Sequence, residues 1–221
     1  MLVVKCVPVG RLFSNAYIVF DQGSLEGIII DAGDEAEKIL EVVRANDVRV
    51  KGIYLTHGHF DHILAVGDLR RELGCGFYIH KADESILSRV PMDAKYFLGI
   101  DVDLPPKPDG WLRDGQTFKV GEALVKVIHT PGHTPGSVCY VIGENVFVGD
   151  TLFAGSIGRT DLPGGDINEL ARSLRDKILK LPNHYVVYPG HGPSSTIGVE
   201  KRLNPFVRSL MYGWDKLGWP V

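Results

Sequence analysis

Short runs of β-branched and aromatic residues open the chain. VVKCVPV (residues 3–9), NAYIVF (15–20) and GIIIDAG (27–33) are set apart by Gly, Asn or Asp, a pattern that predicts strands. The period then changes. Ala36, Ile39, Leu40 and Val43 fall at i, i+3, i+4 and i+7, the single apolar stripe of a helix that Asp34 is placed to cap. KGIYLT (51–56) returns to a strand, and residues 63–73 have helical spacing that stops at Gly74. GFYIH (76–80) reads as a further strand, followed by a short helix around residues 83–88.

A proline-rich segment, PMDAKYFLGIDVDLPPKPDG (91–110), interrupts this rhythm. Its aromatics favour a crossing or lid packed within one domain over a linker between two. Strands resume with QTFKV (116–120), ALVKVIHT (123–130), SVCYVI (137–142) and NVFVGD (145–150). Asp166 and Glu169 form a capping-box-like start to a helix with Ile167, Leu170, Ala171, Leu174 and Ile178 on one face. HYVVYPG (184–190) is the last strand, and a helix over about residues 199–211 follows, broken or kinked at Pro205. Each half gives strands and then helix, so the expected class is α/β (α+β), two mixed sheets covered by helices on their outer faces.

Composition narrows the function more than the fold. The 221 residues fit one large domain or two small ones, and 44% hydrophobic with 23% charged is ordinary for a globular chain. A net charge of −3 without a basic block disfavours nucleic acid or anionic lipid as partner. Lys5, Pro8, Gly10 and Arg11 interrupt the apolar N-terminus, and no run reaches the length of a membrane span, so a cytoplasmic protein is expected. Cys6, Cys75 and Cys139 are odd in number and widely spaced; three small core residues in a reducing compartment is the expectation.

LTHGHFDH (55–62) crowds three histidines and an aspartate into six residues. In an extended segment His57 and His59 point the same way and can reach one ion, whereas on a helix they diverge by about 200°. Asp61 and His62 lie past Gly58 and Phe60, where the chain turns, and can face a neighbouring position. Completing two coordination spheres needs further ligands, because zinc takes about four. Three later strands end in ligand-type residues beside glycine or proline: His133 in TPGHTPG, Asp150 in VFVGDT and His191 in YPGHGP. Alone, each of these is more often a turn or surface residue. His129 is excluded because Pro131 and Gly132 prevent a helical face joining it to His133, and His80 and His184 have no partner pattern.

In this order, THGHFDH, TPGHTPG, the GD at 149–150 and PGHG at 189–192 resemble the five-histidine, two-aspartate signature of the metallo-β-lactamase superfamily, over about residues 15–206. The resemblance implies a four-layer αββα sandwich with the metals at one edge of its sheets. It implies His57, His59 and His133 for a first metal, Asp61, His62 and His191 for a second, and Asp150 bridging them. Asp150, GRTDLPGGD (158–166) and STIGVEKRLNPF (195–206) point to the glyoxalase II-like branch, and within it to the short bacterial hydroxyacylglutathione hydrolase type. Against the long glyoxalases, a single domain over 1–221 is implied, without the C-terminal helical region whose basic residues hold glutathione. Asp161 and the Gly192-Pro193 segment stand where the long forms carry tyrosines that contact glutathione. Arg159 alone matches a basic substrate contact.

The implied activity is hydrolysis of a small-molecule hydroxyacyl thioester such as S-lactoylglutathione. Two divalent ions, zinc first and iron or manganese by the same ligands, would supply a bridging hydroxide near neutral pH. Asp61 would orient that hydroxide and Arg159 would pair with a substrate carboxylate. A GRTD segment is also shared with persulfide dioxygenases, which hold one iron through residues matching His57, His133 and Asp150. That is the rival enzyme class. A nuclease would need an added arm, a flavodiiron protein a flavin module, and an inert metal-binding module would need no open dinuclear centre.

Overall fold

The computed structural model describes residues 1–212. Two six-stranded sheets form its centre. The first runs β1 (Leu2–Val9), β2 (Ser14–Asp21), β3 (Glu26–Ile30), β4 (Arg49–Tyr54), β5 (Gly76–His80) and β6 (Gly110–Leu112), antiparallel up to β3 and parallel from there on. Apart from a short ribbon of β11 (Leu152–Phe153) and β12 (Ser156–Ile157), the second has the order β14 (Ser195–Thr196), β13 (Val186–Pro189), β10 (Asn145–Gly149), β9 (Val138–Ile142), β8 (Ala123–His129) and β7 (Thr117–Val120). Its β10–β13 pair is parallel and the others antiparallel. Both sheets are therefore mixed, as the alternation of strand and helix patterns predicts.

Three apolar layers hold them. Between the sheets lie Tyr17, Val19, Ile28 and Ile30 with Val125, Val127, Tyr140 and Phe147. On the outer face of the first sheet, Ile18, Ile29, Ile53 and Phe77 meet Ile39, Leu40 and Val43 of α1 (Ala36–Ala45) and Leu69 of α2 (Val66–Leu73). On the outer face of the second, Val146, Val148 and Val187 meet Leu170 and Leu174 of α5 (Ile167–Asp176), Ile197 of α6 (Ile197–Leu203) and Val207 of α7 (Pro205–Tyr212). Strand β2 is buried along its whole length because both faces are covered, which is why NAYIVF shows no alternation. Removing such side chains from water contributes about 1.5–3 kcal/mol each. Among the described residues no helix is long and apolar enough to cross a membrane.

Several expectations shift in detail. The helix expected from residue 63 starts at Val66, after a 3-10 turn at Phe60–His62. The reason is competition: His62 O accepts from Ala32 N (2.9 Å), Leu64 N donates to Gly33 O (3.1 Å) and Ala65 N to Ala32 O (3.0 Å). The decisive group is His62 O, which would accept from Val66 N in a helix opening there; Val66 N closes a tighter turn on Ile63 O instead (2.9 Å). Asp34 does not cap α1; its carboxylate accepts from Glu35 N, and Glu35 in a left-handed conformation (φ 48°) precedes the helix. The first half of the segment expected as a loop or lid is a helix, α4 (Val90–Leu98), because Pro91 sits in its first turn, where no N–H is needed. It follows α3 (Glu84–Leu87) and ends at Gly99 (φ 70°).

Asp166 caps α5 by accepting from Asn168 N (2.7 Å) and Glu169 N (3.0 Å), as its spacing predicts. Ile167 is nevertheless exposed, Ile178 lies beyond the helix end, and Ser173 takes an inner position, donating to Pro131 O at 2.7 Å. The last helix breaks at Asn204, just before Pro205. Of the cysteines only Cys139 is buried; Cys75 is half-buried and Cys6, on an edge strand, is exposed.

Candidate metal centre

Four strands deliver the cluster from their C-terminal ends: the loop after β4 carries His57, His59, Asp61 and His62, that after β8 His133, that after β10 Asp150, and that after β13 His191. This is the edge at which α/β sheets bind ligands. The sheets are tied together beside it, by Val138 N to Thr56 O (2.8 Å) and Asn15 N to Gly190 O (2.7 Å). Glycine beside the acidic position has a steric cause. A Cβ on Gly190 would lie 2.1 Å from Asp150 Oδ1, and one on Gly158 would lie 1.8 Å from Asp150 O.

All seven residues singled out by spacing and resemblance converge. Three groups have ligand atoms within 4.8 Å of one another: His57, His59 and His133; Asp61, His62 and His191; and His57, His62 and Asp150. The third group draws one histidine from each of the others. Asp150 Oδ1 lies 3.6 Å from His62 Nε2, and its Oδ2 lies 3.6 Å from both His133 Nε2 and His191 Nε2. Asp61 Oδ2 is 3.2 Å from His191 Nε2 and accepts from Ser14 Oγ at 3.2 Å. His129 stacks on His80 (centroids 4.1 Å apart) and His184 faces Glu144, both outside these groups.

The rings are held in one tautomer by their outer nitrogens. His62 Nδ1 is 3.0 Å from Asp31 Oδ2, His57 Nδ1 3.0 Å from Thr56 Oγ1, His133 Nδ1 2.8 Å from Arg159 O, and His191 Nδ1 3.1 Å from Leu12 O. An Nδ1–H donated outward turns each Nε2 towards the cluster, where an ion can take it once His62 gives up the Nε2 proton it holds in metal-free protein. His59 is turned the other way and presents Nδ1, 2.9 Å from His133 Nε2.

Electrostatics divide the cluster in two. Burial, with neighbouring imidazoles, pushes His57 well below its ordinary pKa and His59 down to about 3. Burial pulls His62 the same way, but Asp61, Asp31 and Asp150 outweigh it and raise His62 to about 10. Asp61, despite a burial effect that would raise it, is held well below the carboxylate range by His62 and His191. His57 Nε2 and Asp150 Oδ1 are buried with no hydrogen-bond partner. An orphaned buried polar atom costs about 1–3 kcal/mol. Five imidazoles and two carboxylates whose ligand atoms converge are a donor set that fits divalent metal, with His62 yielding its proton to the ion.

The family model of the metallo-beta-lactamase superfamily matches residues 9–191. The chain belongs to that superfamily. Hydroxyacylglutathione hydrolase GloC of Haemophilus influenzae is 36% identical to it, over 93% of this chain and 98% of that protein. Among solved structures, BLEG-1, described as a B3 metallo-beta-lactamase, superposes with a TM-score of 0.87 at 37% identity, covering 93% of this chain and 99% of its own. TTHA1623 in a di-iron-bound form gives 0.84 at 40% identity, with 92% and 100% covered. The four-layer fold and a metallo-hydrolase assignment follow from this membership.

Three contributors were not visible beforehand. Asp31, buried and in a left-handed conformation (φ 57°), accepts from Thr56 N (2.7 Å), Thr56 Oγ1 (2.8 Å) and His62 Nδ1. Ser14 holds Asp61. Asp83, fully buried, accepts from Gly58 N (2.8 Å), Gly136 N (2.6 Å) and Thr134 Oγ1 (2.8 Å), gripping the loops of His57 and His133 together. One sequence signal was available: an acidic residue closing the apolar run GIII. Arg159 does border the cluster's cavity, but Asp161 engages its guanidinium through two 2.8 Å bonds, and that pairing holds Asp161 down at about 2.

Proposed function

We propose that this chain is a dinuclear metallo-hydrolase cleaving a small-molecule thioester, in the manner of glyoxalase II. The observation that carries the reading is the pair of three-ligand groups meeting at Asp150, at the floor of an open cavity. His57, His59 and His133 would hold one ion, Asp61, His62 and His191 the other, and Asp150 both. Bound divalent ions would lower the pKa of a coordinated water to about 7 and polarise a carbonyl; zinc is the first expectation, with iron or manganese accepted by the same donors.

The chain's own residues do the rest. Asp61, fixed by Ser14 and bordering the cavity, accepts a hydrogen bond from the attacking water and aims its oxygen at the acyl carbon. The water oxygen forms the new C–O bond, the C–S bond breaks, one of the water's protons ends on the departing sulfur and the other is released as the new acid ionises to a carboxylate. A thiol with pKa about 8.5 leaves without a strong general acid. Likeness to GloC supports a hydroxyacyl thioester such as S-lactoylglutathione as a first substrate to try. The charge of −3 supports a small molecule over nucleic acid or a membrane surface as partner.

Elemental analysis on protein purified without added metal tests the reading, with thioester hydrolysis, persulfide-dependent oxygen uptake and β-lactam hydrolysis measured on the same sample. About two ions per chain with thioester cleavage is the expected result. One iron per chain with oxygen uptake replaces it by a persulfide dioxygenase using His57, His133 and Asp150.

A further inference from the structure

The cavity above the cluster measures about 800 Å³, within the roughly 300–1,000 Å³ of small-molecule sites. The cluster residues form its floor, and its walls are of a different chemistry. Ile86, Met92 and Phe97, from α3 and α4, line it together with Phe153, Leu162 and Pro163. Phe97 stacks on Phe60 (5.8 Å between centroids, 15° between planes), which fixes α4 against the turn carrying Asp61 and His62. Met92 (54% exposed), Phe97 (44%) and Leu12 (43%) leave large apolar surfaces open at the mouth. Contiguous exposed apolar surface at a cleft marks a ligand-binding site.

Away from the floor, the walls offer an anionic ligand little. The described lining contains two arginines and no lysine. Each arginine is already matched: Arg89 Nη2 donates to Asp93 Oδ1 (2.9 Å), and Arg159 is held by Asp161 through two bonds. A peptide thiol such as glutathione carries two carboxylates, and each would have to share its guanidinium with Asp93 or Asp161.

We propose that the substrate of this site is a thioester bearing a bulky apolar arm, alkyl or aryl, seated between α4 and the Phe153 and Leu162 loops. This rests on the thioesterase reading above. Met92 and Phe97 are then specificity-determining residues, and a glutathione thioester, with its two carboxylates and its ammonium, is a poor substrate.

Two series test it: N-acetylcysteamine thioesters with acyl arms from acetyl to octanoyl, and acetyl thioesters of thiols from methyl to octyl, both run against S-lactoylglutathione. Burial of one CH2 predicts kcat/KM rising about threefold to fourfold per methylene in whichever series enters the pocket. That series tells whether acyl or thiol supplies the arm. Non-hydrolysable S-alkyl ethers of N-acetylcysteamine, titrated by calorimetry into metal-free and metal-loaded protein, should show the same slope in affinity. Met92→Asp and Phe97→Asp should flatten the slope; Met92 is the more exposed of the two, so its variant keeps the test if the other fails to fold. Chain-length independence in both rates and affinities, or S-lactoylglutathione exceeding every octyl substrate in kcat/KM, overturns the proposal. Ether affinities that climb with length while no thioester is cleaved uphold the apolar site and overturn the thioesterase reading instead.

Discussion

Replacing Asp83 by alanine should damage the protein well beyond the loss of one surface-distant charge. Its carboxylate accepts three hydrogen bonds of 2.6–2.8 Å in a fully buried position. Thr134 Oγ1 has a substitute in Ser137 Oγ, 2.8 Å away. Gly58 N and Gly136 N have none and become orphaned donors, at about 1–3 kcal/mol each, or about 2–6 kcal/mol for the pair. Asp83→Asn keeps one acceptor oxygen but turns an NH2 group towards a backbone N–H, so it should fall between the two. Urea unfolding of metal-free protein at constant m-value reads the loss directly. Because Gly58 and Gly136 flank His57, His59 and His133, the same variant should bind metal about 10–100-fold more weakly, as found when a ligand loses its outer support. A loss of under about 1 kcal/mol with unchanged metal affinity would refute the view that Asp83 grips the two loops.

Other outcomes follow from the same geometry. Asp150→Ala should reduce the metal content below two ions per chain and abolish hydrolysis; full activity with both ions retained would exclude a bridging role. Asp31→Ala removes the acceptor of His62 Nδ1 and should weaken metal binding about 10–100-fold, measured by competition with a chelating dye. For the chelated protein, the His62 pKa of about 10 lies above its unfolded value of about 6.5. The stability from that proton is therefore full below about pH 6.5 and lost as pH rises towards 10. Chemical denaturation across this range should show the decline in metal-free protein and little of it in the loaded form, where the ion takes the place of the proton.

How much of this was legible beforehand depends on where each determinant lies. THGHFDH announces itself because its ligands are adjacent in sequence, and His133, Asp150 and His191 follow because each ends an apolar run beside glycine or proline. Asp83 was not legible, and Asp31 showed only as an acid closing the run GIII. Each is a single acid whose partners lie 25 to 53 residues away, and half of their six bonds are to backbone N–H groups that every sequence possesses. Helix α4 was hidden by a proline that reads as a breaker in the interior of a pattern and is harmless in a first turn. The late start of α2 was hidden for a different reason: its first backbone groups are claimed by a loop 30 residues earlier. Local pattern therefore gave the layers and the ligands, while the groups that aim the ligands emerged only with the tertiary structure.

The Asp31 carboxylate reaches both halves of the centre at once. Its Oδ2 meets His62 Nδ1 directly and Thr56 Oγ1, which in turn meets His57 Nδ1. A single anchor thus sets the ring orientation in one member of each ligand group. If both positions of the proposed centre are filled, they should not load independently: an ion that locks His57 would stiffen Thr56 and Asp31, and so present His62 to the next ion with its ordering entropy already spent. Metal uptake should accordingly be cooperative, with a Hill coefficient above one that falls towards unity when Asp31 is replaced. Selection on the metal preference of one position would then carry the other with it.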